Sequence, residues 1–501
     1  MTSLLILFFL ALLASLFFAG CRRSHSHRRL PPGPKGWPVL GSIPHLGSKP
    51  HQTLYALSKN HGPLLHLRLG SVHVIVVSTA TTAAHFLRTH DANFSNRPSN
   101  SGAEHIAYNY RDLVFAPYGP RWRMLRRLCA LQLFSAKALE DLRHVRGEEI
   151  ARLVRLFSRA GKPMDVGANV NTCVTNALSL AVVGRRVFGS DDGAAEFKEM
   201  VVELMRLAGV FNVGDFVPAL AWLDPQGIVK KMKKLHKRFD GFLNKLIIEH
   251  QKMADKSNDL LSVLLKLKEE TDEERTKLTD IEIKALLLNL FVAGTETTSI
   301  AIEWALVELI RSPGLLGRVQ EELDSVVGRD RLVSESDLSG LPLLQAVVKE
   351  TFRLHPSTPL SLPREAAEDC EVDGFFIPRG ATLLVNVWAI GRDPVAWPDE
   401  PLAFQPDRFL PGGLHHGVDV KGGDFELIPF GAGRRICAGL SVGLRMVQFM
   451  VATLVHAFDW ASDDQFDMEE ASGLSLRRAV PLVVRPVPRL SREAYDKEFY
   501  T

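Results

Sequence analysis

The chain has 501 residues, of which 46% are apolar and 23% charged. That balance excludes a mainly disordered, collagen-like or wholly membrane-embedded protein. A formal net charge of +3 is too even for a nucleic-acid binder, and length alone gives a prior of about three domains.

Residues 4–20, LLILFFLALLASLFFAG, form an uncharged apolar run at the short end of the range for a membrane helix. Nothing basic precedes it, while Arg22, Arg23, Arg28 and Arg29 follow, so the positive-inside rule places the body in the cytosol. The alternative is a cleaved leader, with Phe18-Ala19-Gly20-Cys21 as a lipoprotein-like site, although such leaders usually carry basic residues first. We expect an anchor over 1–21, a basic and proline-rich hinge over 22–41, and one body over 42–501. Pro31, Pro32, Pro34 and Pro38 make the hinge a stiff extended spacer. Asn93-Phe94-Ser95 is a formal glycosylation acceptor that stays unmodified on a cytosolic body.

Past residue 40 the pattern is mostly helical. β-rich stretches at 64–69, 72–77, 383–387 and 480–484 do not alternate regularly with helices, which argues against a doubly wound sheet. There is no repeat, low-complexity tract or second long apolar run. The fold class is therefore mainly α with small β-sheets. Over 228–243, Ile228, Met232, Leu235, Phe239 and Phe242 recur at helical spacing. The intervening Lys230, Lys231, Lys233, Lys234, Lys237 and Arg238 read as the solvated face of an amphipathic helix or as a contact for anionic lipid.

Thr279-Asp280-Ile281-Glu282 fits a capping box, and Pro313 marks the far end. The helix between is about 45 Å long and apolar nearly all round, hence buried. Into it falls Ala293-Gly294-Thr295-Glu296-Thr297-Thr298. An interior glycine costs about 1 kcal/mol, a buried carboxylate is costly unless paired, and threonines bonding back to carbonyls bend helices. The segment reads as a functional site or as a polar network between helices. Over 343–354, Glu350 and Arg353 share one helix face, as a surface pair or a buried one.

Five cysteines stand far apart with no C-x-x-C pair, so neither a disulfide framework nor a zinc knuckle is supported. The segment Phe430-Gly431-Ala432-Gly433-Arg434-Arg435-Ile436-Cys437-Ala438-Gly439 gives one of them a special setting. Its glycines permit a tight path around the thiol, and Arg434 and Arg435 would lower the thiol pKa. Such a sulfur suits an anionic, metal-holding macrocycle. Two other motifs overlap the segment. A dinucleotide fingerprint fails at Ile436, where a third glycine is needed. Gly439-Leu440-Ser441-Val442-Gly443 matches a serine-hydrolase elbow but lacks the strand that motif requires.

In this order the segments resemble the cytochrome P-450 superfamily of haem-thiolate monooxygenases. The resemblance includes Trp122-Arg123-Met124-Leu125-Arg126, the Ala293–Thr298 segment, Glu350-x-x-Arg353, Phe404-Gln405-Pro406-Asp407-Arg408-Phe409 and the Cys437 loop. It implies haem b with Cys437 as its proximal ligand. It implies Trp122, Arg126, Arg364 and Arg435 on the propionates, and Phe430 and Gly439 beside the haem. Ala293 and Gly294 would leave room for oxygen and substrate, and Glu296 and Thr297 would supply protons. Glu350, Arg353 and Arg408 would be structural. Asp407 replaces the more usual glutamate and keeps the charge, so the network should survive.

The resemblance also implies NADPH electrons from a separate membrane-bound cytochrome P-450 reductase, met by a basic face of Arg121, Arg123, Arg127 and Arg434. It implies an endoplasmic-reticulum membrane protein with one span. Contact with other enzymes of its pathway is left open. Stretches such as 107–119, 201–224, 354–364 and 418–448 look most like the plant flavonoid 3′-hydroxylases, with Ser475, Ser361 and Tyr110 as implied substrate contacts. Ser475 stands where relatives more often have threonine. That methyl is worth about 1–3 kcal/mol of discrimination and keeps 3′,5′- or 5′-hydroxylation open. From other classes, a serine hydrolase using Ser441 and a non-catalytic haem-binding protein remain alternatives.

Overall fold

The Thr279 side chain accepts the Glu282 amide, and the Glu282 carboxylate accepts the Thr279 amide at 2.9 Å. The expected capping box thus starts the helix Asp280–Arg311, which ends at Ser312, before Pro313. Its 32 residues make a rod of about 48 Å. In the computed structural model, which describes residues 28–188, 192–252, 259–270, 277–462 and 465–496, this rod runs through the core. The expected anchor at 1–21, Cys21 and hinge residues 22–27 lie outside the described residues.

Three helices, Val166–Val183, Asp280–Arg311 and Leu440–Ala457, are apolar and long enough to cross a membrane. This corrects the expectation of no second long apolar run. The long helix packs against the other two and against Pro342–Leu354, and Ile300, Trp304, Val348 and Phe449 share their common core. Burial inside the body accounts for this apolarity. The helix Ile228–Lys252 buries Ile228, Met232, Leu235, Phe239 and Leu243, so its periodicity is that of an amphipathic helix with the lysines outward.

The sheets are small. The largest orders Leu64–Leu69, Val72–Val77, Thr382–Val385 and Arg364–Glu365, with the middle pair parallel. The expected strand at 383–387 stops at Val385, because Asn386 caps a short helix by accepting the Ala389 amide at 3.1 Å. The one expected at 480–484 begins later, as Val483–Pro488. Pro481 has no N–H to pair, and the strand starts beyond it. The described hinge residues 28–36 form neither helix nor strand, and the hinge is docked on the body. Pro32 O accepts the His66 amide at 2.9 Å, and Trp37 pairs with Gly41.

Glu350 and Arg353 form a fully buried pair, with Nε–Oε2 2.6 Å and Nη2–Oε1 2.7 Å. The remaining donors of Arg353 reach Gly391 O at 2.5 Å, Pro401 O at 2.6 Å and Ala403 O at 2.8 Å. Glu350 Oε1 also accepts the Gln405 amide at 2.7 Å. Arg408 Nε comes within 3.5 Å of Glu350 without a hydrogen bond, and its Nη2 donates to Glu400 O at 2.8 Å. Asp407 lies outside this network, on Arg318 at 2.6 Å. One helix turn thereby gathers the irregular chain that leads to residue 437. Replacing Arg353 by Leu strands a buried carboxylate, and the expected cost is about 3–5 kcal/mol. Thermal unfolding of the purified variant should show it as a large fall in midpoint, with Asp407→Ala close to wild type.

Candidate functional site

The Cys437 amide donates to Phe430 O at 2.9 Å, closing the loop 430–437. Within it Gly431 and Gly433 sit at φ +70° and +67°. A Cβ on Gly433 would overlap Asp91 Oδ1 and Leu87 O, so this position needs glycine for both conformation and space. Asp91 anchors the loop from outside. It accepts the Arg434 amide at 3.1 Å, Arg434 Nη1 at 3.0 Å and Arg364 Nη1 at 3.4 Å.

Cys437 is surface-accessible, yet burial pushes its thiol pKa up, countered by the Gly439 amide and by Arg126. Accessible surface at such depth belongs to an interior hollow. The expectation that Arg434 and Arg435 lower this pKa is corrected. Arg434 is engaged by Asp91, and Arg435 donates to Ser95 O at 2.7 Å and Ala116 O at 2.6 Å. The guanidinium that the sulfur senses is Arg126. A thiol held this way ionises when a metal cation binds it.

Trp122, Arg126 and Arg435 come together, with the Arg435 guanidinium 4.5 Å and that of Arg126 5.8 Å from the Trp122 ring centroid. Arg364 joins them, donating to Ala432 O at 2.6 Å. Sequence reasoning missed a further member, Arg97. Its Nη1 donates to Leu362 O at 2.8 Å and Pro363 O at 2.7 Å, beside Arg435 and Arg364. Nothing periodic surrounds an arginine between Asn96 and Pro98, so only its burial reveals it. Burial lowers Arg364 and Arg435 to about 10 and holds Arg97 well below its ordinary value. Arg435 Nη1 is buried without a hydrogen-bond partner among the described residues. Four guanidiniums against Asp91 and Asp112 leave an excess of positive charge aimed inward. That fits a dianionic macrocycle whose metal meets Cys437.

The facing wall is the long helix. Ala293 and Gly294 are exposed in the middle of it. A Cβ at Gly294 would come 3.1 Å from Leu178 Cδ2, so the small residue there serves helix packing. The open face belongs to Ala293 and the backbone. Thr295, Thr297, Thr298 and Ser299 each donate to the carbonyl four residues back, Thr297 to Ala293 O at 2.8 Å. Glu296 makes no hydrogen bond among the described residues. Burial raises its pKa, with Arg477 and Lys198 opposing. The rim closes through Trp122 Nε1 to Leu113 O at 3.0 Å and the Leu113 amide to Asn289, one turn before Ala293, at 2.8 Å.

Ser475 is buried beside this segment. Ser357 Oγ donates to Thr297 O at 3.0 Å, and Ser357 O accepts the Leu476 amide at 2.8 Å. Tyr110 turns its hydroxyl to Asn100 O at 3.2 Å, and Ser361 holds a left-handed turn at φ +54°. Neither touches Thr297 or Ser475 in any described contact. Of the expected basic face, Arg121 is committed to Glu282 and Arg434 to Asp91, while Arg123 and Arg127 are exposed. Ser441 lies in the first turn of the helix Leu440–Ala457, behind a 3-10 turn at Gly433–Arg435. A hydrolase elbow needs a strand there, so that reading falls.

The cytochrome P-450 family profile matches residues 31–484. A flavonoid 3′-monooxygenase of Crocosmia x crocosmiiflora is 66% identical over 486 residues, covering 95% of each chain. One of Oryza sativa subsp. japonica is 64% identical over 496 residues, covering 95% of this chain and 94% of the relative. A flavonoid 3′,5′-hydroxylase of Crocosmia x crocosmiiflora is 54% identical, covering 99% of each. Among solved structures, a zebra fish cytochrome P-450 with progesterone is similar at TM-score 0.75 and 28% identity, covering 88% of this chain and 99% of that one. If the inward arginines hold a dianion, Arg97→Leu should fold but release the group faster. The loss of one charged hydrogen bond, about 1.5–3 kcal/mol, gives roughly ten- to a hundredfold, read by transfer of haem to apomyoglobin.

Proposed function

We propose, for a chain that belongs to the cytochrome P-450 family, that it hydroxylates the flavonoid B-ring at the 3′ position, using O2 and NADPH electrons delivered by a reductase. The observation that carries this reading is 66% identity along 95% of both chains to a flavonoid 3′-monooxygenase, against 54% to a 3′,5′-hydroxylase. The protein is a membrane-bound monooxygenase. We infer a single anchor at 1–21 in the endoplasmic-reticulum membrane, with the hinge 22–41 and the catalytic body 42–501 on the cytosolic side.

Bound haem b would supply the oxidising chemistry. Cys437 would be its proximal ligand, with Phe430 and Gly439 flanking the sulfur. Trp122, Arg126, Arg364, Arg435 and Arg97 would take the propionates. Ala293 would leave room for oxygen and substrate. The Thr297 hydroxyl donates to Ala293 O, so its lone pairs point outward to accept a proton donor such as water. Glu296, unpaired and raised, keeps its proton to higher pH than an ordinary carboxyl and can replenish that water. The low polarity that raises it is the same that shields the oxidant from bulk water.

Ser475 supports a second reading, 5′-hydroxylation of a 3′-substituted ring. The residue is buried and its loop is tied through Ser357 to Thr297, so one methyl less there widens the space beside the reacting ring. Microsomes containing the chain, reductase and NADPH should convert naringenin and dihydrokaempferol to 3′-hydroxylated products. No product from these, with turnover of 3′-substituted flavones, establishes the second reading instead. A thiolate-type carbon monoxide band without any turnover would mark a haem-binding protein. Glu296→Gln should lower product formed per NADPH. In the wild type, coupling should fall as rising pH deprotonates Glu296; in the variant that alkaline limb should be absent.

A further inference from the structure

Residues 108–116 connect the short helix Ser101–His105 to the helix Pro120–Gln132. Tyr108, Asn109 and Tyr110 stand in succession at φ +50°, +54° and +61°. L residues hold that conformation only where the surroundings impose it. Here the Tyr108 hydroxyl donates to Asp240 Oδ1 at 2.9 Å, and the Tyr110 hydroxyl accepts the Asn100 amide at 3.1 Å. Beyond this turn the backbone is held by side chains. Asn289 Oδ1 accepts the Leu113 amide at 2.8 Å and the Val114 amide at 3.1 Å. Its Nδ2 donates to Asp112 Oδ2 at 3.0 Å, and Asp112 Oδ1 accepts the Phe115 amide at 2.9 Å. Arg97 Nε reaches Val114 O at 3.0 Å and Arg435 Nη2 reaches Ala116 O at 2.6 Å.

Asp112 is fully buried and enters the site above only as a charge beside the arginines, while Asn289 sits on the long helix one turn before Ala293 and has no place in the chemistry above. The side chains they position, Leu113, Val114 and Phe115, are only half-buried although they lie between the arginine cluster and the long helix. Half-exposed apolar residues in such a place are suited to meet an apolar ring.

We propose that Asn289, acting with Asp112, is a positioning residue for regiochemistry: it fixes Leu113–Val114–Phe115 as the wall on which the substrate ring rests. This deepens, and rests on, the flavonoid reading. Loss of the Asn289 amide would leave two backbone N–H groups and one carboxylate oxygen without partners, and the wall would move. Fixed walls set which ring carbon faces the oxidant, because orientation errors of an ångström are costly.

The test uses the full-length holoenzyme with reductase. Asn289→Ala should keep its carbon monoxide band. Amide exchange at 113–115 should quicken about tenfold, the worth of one net hydrogen bond. Spectral titration with naringenin should weaken, and hydroxylation at positions other than 3′ should appear. Asn289→Asp keeps both amide acceptors but sets a carboxylate against Asp112, so it should also lose regiochemistry. The double variant Asn289→Asp/Asp112→Asn restores a donor opposite an acceptor and should recover the single product. Wild-type exchange or wild-type product distribution in Asn289→Ala overturns the inference. Failure of the functional reading shows elsewhere, as a wild-type enzyme that forms no flavonoid product.

Discussion

The Glu350 carboxylate is fully buried, 2.6 Å from Arg353 Nε, and the pair's other hydrogen bonds all go to backbone at 391–405, with Arg408 approaching to 3.5 Å. Such a pair cannot be justified by its own energy, since removing two charges from water costs as much as their attraction returns. Its value is geometric. Gly391, Pro401, Ala403 and Gln405 have few backbone partners of their own, and a planar guanidinium with five donors fixes several carbonyls at once. The same helix sends Lys349 to Val418 O at 2.7 Å and stacks Phe352 edge-on against Phe430, with centroids 5.2 Å apart. The cysteine loop is therefore braced by this helix on one side and by Asp91 and Arg364 on the other, and its rigidity is borrowed.

A second constraint is electrostatic. Arg97, Arg126, Arg364 and Arg435 are brought inward where burial opposes their charge, and Asp91 and Asp112 are the carboxylates that offset them among the described residues. Their carbonyl partners satisfy individual N–H groups without neutralising them. A fold retains such an imbalance where an anion completes it. Sulfur at one pole and guanidiniums along one side prescribe the ligand's shape before its identity is considered.

Local signals in the sequence translated directly. The Thr279 capping box, the helical spacing from Ile228 to Phe242 and the strands Leu64–Leu69 and Val72–Val77 depend on neighbours a few residues apart, so they leave a periodic trace. Three helices of core hydropathy were harder, because burial and membrane insertion select the same residues. What escaped was the long-range bonding of side chains to backbone. Arg97 on Leu362 and Pro363, Asn289 on Leu113 and Val114, and Ser357 on Thr297 join distant segments and have no period. The thiol's electrostatic neighbour was misplaced for the same reason. Arg434 and Arg435 are adjacent to Cys437 in sequence, but the loop's left-handed glycines turn them away and a helix from elsewhere presents Arg126.

The proposal that Cys437 is the thiolate ligand rests on its being, among the described cysteines, the one with an exposed thiol. Cys129 and Cys173 are closed off in the core, and Cys370 is half-buried in a two-stranded sheet. Iron-edge X-ray absorption of the purified holoenzyme reads the ligand directly. One sulfur is expected in the iron shell, lost in Cys437→Ala and retained in Cys129→Ala. An iron shell without sulfur in the wild type, or a sulfur that survives Cys437→Ala, would contradict it.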